Sequence, residues 1–305
     1  MRILVTGVSG QVGGALMPRL KPFATVIPHD EFSIDFTRLD LIPTALDRDA
    51  PDLIINPAAY TAVDKAEDEP ELAMRINAEA PAVIARWAAE HDVPLIHFST
   101  DYVYDGGGDR PWREDDEPRP LGVYGKTKLA GENAVRAAGG AFLIFRTCWV
   151  YAAQGKNFMR TIARLALERK ELRIVGDQIG APTTAALIAD CVTEVVSGGL
   201  DELRVRSAKA SGLVHICASG ETSWHGFTTA IVDGLKERGV PLAVEKTVPI
   251  RTEEYPTKAK RPLNSRLDLG RLDRVFGIVP PRWQDALVPE LDALVSELRS
   301  AHSAA

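Results

Sequence analysis

Length, composition and charge narrow the classes of protein to which this sequence can belong. The chain has 305 residues, 45% hydrophobic and 26% charged, enough to bury a substantial core without disulfides. Thirty-six Lys and Arg against 42 Asp and Glu give a net charge of −6, which argues against a nucleic-acid binder, since such proteins carry a broad basic footprint. Three cysteines without metal-ligand spacing are interpreted as buried thiols, and no uncharged run could cross a bilayer, so we expect a cytoplasmic protein without a membrane partner.

Short β-branched runs alternate with longer helical patterns along the first half of the chain. The predicted strands cover residues 2–6, 24–27, 53–56, 94–99 and 142–146. The clearest helix covers residues 71–91, where apolar side chains recur on one helical face. Residues 105–120 are rich in Gly, Asp, Glu and Pro and are predicted to form an exposed loop, of a kind that often covers a site. The alternation predicts parallel βαβ units.

Three glycines follow the first predicted strand at a spacing of three. Gly7 allows a tight reversal, Gly10 lets the backbone approach a pyrophosphate, and Gly13 lets the helix pack closely on the strand. The exposed N–H groups and the helix dipole favour an anion there. A plain strand-turn-helix connection is the alternative, but the strand before the glycines and the helix after them favour nucleotide binding.

Asp30 closely follows the second predicted strand and lies 17 residues after Gly13. This offset is close to that at which an acidic residue binds the adenosine ribose, which favours NAD. The alternative is an aspartate that caps a turn. No arginine lies at positions 31–37, so a dedicated 2′-phosphate pocket is not evident, and the sequence leaves both NADH and NADPH open.

Tyr124 and Lys128 lie four residues apart, so a helix would place both on one face. A nearby ammonium lowers the pKa of a phenol toward the working range, which suits the pair to protonate a carbonyl oxygen as hydride arrives. Thr100, or its neighbour Ser99, follows a predicted strand and can donate to the same oxygen. The alternative is a hydroxyl that bonds its own backbone.

Together these motifs resemble the extended short-chain dehydrogenase/reductases and, more narrowly, the dTDP-4-dehydrorhamnose reductases among them. The stretches that carry the narrower resemblance are residues 58–67, 99–103, 124–132, 146–151 and 261–267. The resemblance implies an α/β fold with a Rossmann-type doubly wound parallel sheet. We expect residues 1–150 to form the NAD(P)-binding domain, to which later segments return, and residues 151–305 to form mainly a smaller, mixed α/β substrate domain.

The resemblance also implies an activity and a set of site residues. The activity is reduction of the C4 ketone of dTDP-4-dehydro-6-deoxy-L-mannose by NADPH or NADH to dTDP-L-rhamnose, with Tyr124 as proton donor, Lys128 as its pKa partner and ribose anchor, and Thr100 tuning Tyr124. The implied cofactor contacts are Gly7, Gly10, Gln11, Val12, Gly13, Asp30, Asp35, Phe36, Ala58, Ala59, Tyr60, Tyr124 and Lys128. The implied substrate contacts are Thr100, Asp101, Tyr124, Trp149, Arg261 and Asn264.

Three interpretations remain open at this point. Trp149 without the resemblance is more simply a core residue. The basic residues between positions 251 and 266 could clamp the diphosphate of a nucleotide sugar or form a solvated surface. The activity itself could be that of another dTDP-4-keto-6-deoxyhexose reductase, or the chain could be a non-catalytic dinucleotide-binding subunit that resembles the regulatory subunit of methionine adenosyltransferase.

One departure from the resembled family concerns metal. Some of its members hold Mg²⁺ at a dimer contact through three glutamates, and this sequence has Ala15, Ala186 and Gln284 in those places. Neutral side chains lack the carboxylate oxygens that a hard cation prefers. We therefore expect no bound metal, and a monomer or a weak homodimer without a bridging metal.

Overall fold

A parallel sheet forms the centre of the fold in the computed structural model, which describes residues 1–303. The strands are β1 (Arg2–Val5), β2 (Thr25–Pro28), β3 (Leu53–Asn56), β4 (Leu95–Thr100), β5 (Phe142–Thr147), β6 (Val150–Tyr151), β7 (Glu171–Val175), β8 (Ile179–Gly180), β9 (Thr183–Thr184), β10 (Leu213–His215), β11 (Thr222–Ser223) and β12 (Lys246–Ile250). Six of them pair in the order β2-β1-β3-β4-β5-β10, all parallel. The predicted doubly wound α/β fold is confirmed.

Helices cover both faces of this sheet, and most later strands lie outside it. The helices are α1 (Gln11–Leu20), α2 (Ile42–Asp49), α3 (Val63–Ala66), α4 (Pro70–Met74), α5 (Ala80–Glu90), α6 (Val123–Ala138), α7 (Phe158–Glu168), α8 (Ala185–Ser197), α9 (Leu200–Lys209), α10 (Trp224–Glu237), α11 (Gly270–Phe276) and α12 (Trp283–Ser303). Apolar residues of α1 and α8 pack on one face, and those of α2, α5 and α6 pack on the other. Because both faces are covered, β3 and β4 are buried along their whole length. β3 accordingly reads as an apolar run of three residues, Leu53, Ile54 and Ile55, before Asn56.

The predicted helix at 71–91 is interrupted by one turn of π-helix at Arg75–Glu79 between α4 and α5. Asn77 lies in that turn, and its side chain bonds the backbone of Tyr60 instead of facing solvent. On α6, a Cβ at Gly131 would lie 2.1 Å from the Asn77 carbonyl oxygen, so the two segments approach closely there. Such turns are frequent at functional sites.

The later half of the chain contributes β10 to the edge of the central sheet and forms three smaller strand pairs. These are β7 with β12, β8 with β11, and β6 with β9. The division at residue 150 stays a prediction. Cys148, Cys191 and Cys217 are buried free thiols, as expected. Within residues 1–303, no helix combines the length and apolar character needed to cross a bilayer.

Candidate functional site

The glycine turn lies where the sheet order reverses, between the carboxyl ends of β1 and β3. Gly7 has a φ of +57°, and a Cβ there would lie 2.9 Å from the Cα of Ala58, which follows β3. A Cβ on Gly13 would lie 2.2 Å from the Gly7 carbonyl oxygen. Gly10 caps α1 without a side-chain hydrogen bond. The first-turn N–H groups of α1 therefore face the crevice at which open α/β sheets bind ligands.

The acidic residues predicted near the adenosine lie after β2. Asp30 Oδ1 accepts the backbone N–H groups of Phe32 at 3.1 Å and Ser33 at 2.9 Å, so Asp30 also caps its own turn, as the alternative interpretation had it. Asp35 accepts the hydroxyl of Thr37 at 2.7 Å. Phe36 is buried with the core residues around α2. The predicted contacts of Asp30, Asp35 and Phe36 with the cofactor stay predictions.

The segment 58–60 forms the opposite wall of the crevice. Asn77 accepts the N–H of Tyr60 at 2.8 Å and donates to its carbonyl at 3.1 Å, which fixes this backbone. The Tyr60 hydroxyl donates to Glu69 at 2.7 Å. Gln11, on the other wall, accepts from the Asn157 side chain at 3.1 Å. The predicted cofactor residues of both walls therefore come together around one crevice.

Thr100, Asp101 and Tyr124 come together at the carboxyl end of β4. The Thr100 hydroxyl donates to Asp101 Oδ1 at 3.0 Å and lies beside the Tyr124 phenol. Burial raises the pKa of Tyr124 well above its ordinary value, and the contact with Thr100 opposes that shift. Burial also raises the pKa of Asp101 to about 6, against hydrogen bonds from Ser265 and Thr100. Asp101 Oδ2 has no hydrogen-bond partner among the described residues.

Lys128 lies one turn after Tyr124 on α6 and is 2% exposed. Its Nζ donates to the Phe98 carbonyl at 2.6 Å. Burial lowers the pKa of Lys128 to about 8, and the charge of Glu132 on the same helix opposes this. Burial, the hydrogen bond with Thr100 and the charges of Asp101 and Tyr102 govern the pKa of Tyr124, and the predicted effect of Lys128 on that pKa stays a prediction.

Arg261 reaches the site from the basic stretch. Its guanidinium donates to the Tyr102 hydroxyl at 3.2 Å and to Asp64 at 2.5 Å. The Tyr102 ring meets the Tyr124 ring edge-on, with centroids 5.5 Å apart. Two other cations of the stretch are paired with carboxylates: Lys258 with Asp68 and Arg266 with Glu221. Arg261 is therefore the member of the stretch in contact with a residue that packs on Tyr124.

Trp149, after β5, is held in an unusual backbone conformation. Its φ is +47°, in the left-handed region that is costly for a bulky residue. Its ring stacks on Trp224 with centroids 3.6 Å apart and planes 12° apart. A Cβ on Gly180 would lie 2.7 Å from the same ring. Such conformations persist where the surroundings over-determine them and cluster at functional sites.

Asn264 fastens the loop predicted at 105–120. Its amide donates to the carbonyl oxygens of Gly107 at 3.2 Å and Arg110 at 2.8 Å. In the same loop, Trp112 pairs with Leu267 by a parallel bridge. The loop is thus attached to the 264–268 segment beside the site, and the predicted contact of Asn264 with substrate stays a prediction.

Comparison with known proteins identifies the family. A family model described as the RmlD substrate binding domain matches residues 1–296. The chain belongs to this family. Curated dTDP-4-dehydrorhamnose reductases match this chain along nearly its whole length, so the resemblance to that family is confirmed.

Two curated relatives and two solved structures illustrate this RmlD-family similarity. The dTDP-4-dehydrorhamnose reductase of Escherichia coli (strain K12) is 44% identical over 288 residues, 93% of this chain and 95% of that protein. That of Burkholderia thailandensis is 44% identical over 289 residues, 94% and 97% respectively. The reductase structure from Clostridium acetobutylicum has a TM-score of 0.87 at 36% identity, covering 96% of this chain and 99% of that one. The Bacillus anthracis structure, in complex with NADP, has a TM-score of 0.85 at 31% identity, covering 97% and 99%.

Three residues of this RmlD-family chain lie at the site although no sequence pattern assigns them to it: Tyr102, Ser265 and Trp224. Tyr102 and Ser265 lie within stretches that carried the resemblance, but nothing in the sequence shows that they meet Tyr124 and Asp101. Trp224 had no signal, because its stacking on Trp149 depends on the pairing of β8 with β11. The expectation that no metal is bound stays a prediction. Residues 1–303 contain no grouping of three or more His, Cys, Asp or Glu suited to a metal ion.

Proposed function

We propose that the chain reduces the C4 ketone of dTDP-4-dehydrorhamnose with NADPH or NADH, which yields dTDP-L-rhamnose and completes that sugar-nucleotide synthesis. The observation that carries the proposal is the grouping of Thr100, Tyr124 and buried Lys128 at the carboxyl end of β4, in the same parallel sheet whose β1 leads into the glycine turn. Curated relatives that match nearly the whole chain bear the name of this reductase, which gives the substrate class.

The residues of the crevice fit a dinucleotide. Gly10 provides no side-chain cap, so the first-turn N–H groups at Gln11, Val12 and Gly13 are left for an anion such as a pyrophosphate. The absence of Cβ atoms at Gly7 and Gly13 is what lets the turn lie against Ala58 and the helix start. When bound, a nicotinamide dinucleotide supplies the hydride.

Tyr124 gives its phenolic proton to the C4 oxygen of the sugar. Because burial raises the pKa of Tyr124, the phenol enters the reaction protonated, as a ketone reduction requires. Thr100, beside that hydroxyl, orients it. The ammonium of Lys128 on the same helix favours the phenolate that remains, because an opposite charge nearby stabilises it.

The substrate side of the proposal uses the residues beyond Tyr124. Asp101 carries a buried oxygen without a protein partner, which can accept a hydroxyl of the sugar. Trp149 offers an apolar ring fixed by its neighbours for the sugar to pack against. Arg261 supplies positive charge suited to a diphosphate, in exchange for part of its pairing with Asp64. Asn264 acts by holding the 105–120 loop over this side.

Turnover with the named substrate tests the proposal. Purified protein is mixed with dTDP-4-dehydrorhamnose, made in place by an upstream epimerase, and loss of NADH or NADPH absorbance is followed with identification of the product sugar. Rhamnose supports the proposal. A different 6-deoxyhexose means a sister reductase, and dinucleotide binding without oxidation means a regulatory subunit.

Two variants assign the chemistry to the tyrosine. Tyr124→Phe is expected to lower turnover by about 10²-fold or more, the typical contribution of acid catalysis, with dinucleotide affinity kept. Tyr255→Phe is the matched control, because Tyr255 is 60% exposed. Full turnover in Tyr124→Phe would remove this residue from the mechanism.

The state and location of the enzyme complete the proposal. The enzyme acts as a monomer or a weak homodimer without a bridging metal, because neutral side chains stand at Ala15, Ala186 and Gln284. It acts in the cytoplasm, where the three free thiols stay reduced. Light scattering with and without chelator tests the first statement: a dimer that dissociates on chelation would contradict it.

A further inference from the structure

The loop after β2 folds back on the glycine turn through Glu31. Asp30 Oδ1 accepts the N–H groups of Phe32 and Ser33 and the hydroxyl of Ser33, which makes a tight turn. Glu31 Oε2 accepts the hydroxyl of Ser9 at 2.7 Å. Ser9 lies in the turn from β1 to α1, so the Glu31 side chain spans the gap between the carboxyl ends of β1 and β2.

This gap is where the adenosine ribose of a dinucleotide lies in folds of this kind. The pyrophosphate sits at the start of the first helix, and the ribose hydroxyls face the end of the second strand. Asp30 and Glu31 therefore line the same side of the ribose position. Glu31 reaches across to Ser9 of the glycine turn, whereas Asp30 stays within the turn that follows β2. Glu31 is exposed and Asp30 is partly exposed, so a cofactor can reach this wall, which the two residues form.

The charge of this wall is negative. Hydrogen bonds from Ser33 hold the pKa of Asp30 below its ordinary value, and the hydrogen bond from Ser9 does the same for Glu31, so both carboxyls are ionised at neutral pH. Arg38, the nearest cation along this loop, is paired with Asp40 at 3.4 Å. A 2′-phosphate brings about two further negative charges to such a wall.

We propose that Glu31 makes this enzyme select NADH over NADPH. Its carboxylate repels a 2′-phosphate, while with Asp30 it accepts hydrogen bonds from an unmodified ribose. The inference rests on the proposed function, because it requires a nicotinamide dinucleotide at the glycine turn. Family membership does not supply it, since the Bacillus anthracis relative was solved with NADP.

Direct binding tests the proposal without any sugar substrate. Dissociation constants for NADH and NADPH are measured by calorimetry on the full chain and on Glu31→Gln, which keeps the length of the side chain and an acceptor for Ser9. The unmodified protein is expected to bind NADH at least about tenfold more tightly, the effect of one nearby like charge. In Glu31→Gln that ratio is expected to fall several-fold, because NADPH binds more tightly, while Asp30 retains part of the repulsion.

Salt and a charge control separate this mechanism from others. Raising ionic strength is expected to narrow the preference of the unmodified protein, since the repelled charges are exposed and screened. Glu90→Gln, the same substitution on the exposed last residue of α5, is expected to keep the preference.

The outcomes that overturn the proposal are distinct from those that overturn the function. Equal affinity for NADH and NADPH, or an unchanged ratio in Glu31→Gln, removes Glu31 as the determinant and leaves the reductase standing. Binding of neither dinucleotide removes the reductase function and the proposal with it. Turnover of the sugar with NADPH alone also overturns the role of Glu31 but supports the reductase.

Discussion

Replacing Lys128 by methionine is expected to lower turnover while keeping or raising the free energy of unfolding at pH 7. Burial lowers the pKa of Lys128 from 10.5 to about 8, so at pH 7 the folded protein bears a cost of about 3 kcal/mol for keeping this buried group charged. Lys128→Met removes that cost. It also leaves the buried Phe98 carbonyl without its donor, which destabilises the folded protein by roughly 1–3 kcal/mol. We expect a variant at least as stable as the parent at pH 7 that has lost most of its turnover.

The dependence of the free energy of unfolding on pH isolates the lysine from the lost hydrogen bond. Below about pH 8 both folded and unfolded chains hold the Lys128 proton, so the cost is constant. Between pH 8 and 10.5 the unfolded chain binds the proton more tightly, so the parent protein gains stability with rising pH and Lys128→Met does not. The advantage of the variant should therefore shrink by about 3 kcal/mol between pH 7 and 10.5.

Urea unfolding of both proteins across this range measures the difference, in which all other titrating groups cancel. Lys126→Met on the exposed side of the same helix is the control and should show no change in its stability gap. A gap between Lys128→Met and the parent that stays constant within about 1 kcal/mol over the whole range would refute the reasoning.

The remaining predictions concern the turn, a buried ion pair and the stacked rings. Gly13→Ala should weaken dinucleotide binding more than about tenfold, because its Cβ would meet backbone at 2.2 Å, whereas Gly14→Ala, with 3.3 Å to the nearest atom, should not; calorimetry measures both. Glu132→Gln should lower the free energy of unfolding by about 3 kcal/mol, because it leaves the buried Arg146 charge unpaired, and adding Arg146→Met should recover most of the loss in urea titrations. Trp224→Leu should raise KM for the sugar nucleotide by up to about tenfold without changing dinucleotide affinity, because the stacked partner ring loses its support; an unchanged KM would contradict this.

The central strands could be predicted because they are buried on both faces. The run at 53–56 is apolar at nearly every position and the structure begins and ends β3 at the same residues. The glycine spacing was equally informative, since the close approach of Gly13 to Gly7 admits no Cβ. Burial on both faces and close backbone approach can be predicted because each shows as a pattern within a short stretch of sequence.

Contacts between segments far apart in the sequence could not be predicted, because no local pattern encodes them. The helical period on its own predicts an unbroken helix, whereas the interruption at Arg75–Glu79 occurs where Gly131 of another helix lies against Asn77. The helical spacing predicts that Lys128 shares a face with Tyr124, but it does not predict the hydrogen bond from the Lys128 ammonium to the Phe98 carbonyl, because Phe98 lies on a strand far away in the sequence. The stack on Trp149 likewise needs β11 in place before α10 begins.

The strand β10 makes the first half of the fold depend on residues synthesised much later. Leu213–His215 pair with β5 and close the edge of the central sheet. While the ribosome is still extending the chain toward residue 213, β5 presents unpaired backbone groups along an apolar strand, and such an edge invites pairing with other nascent chains. The glycine turn can fold early, but the sheet that carries it stays unfinished until most of the polypeptide has left the exit tunnel.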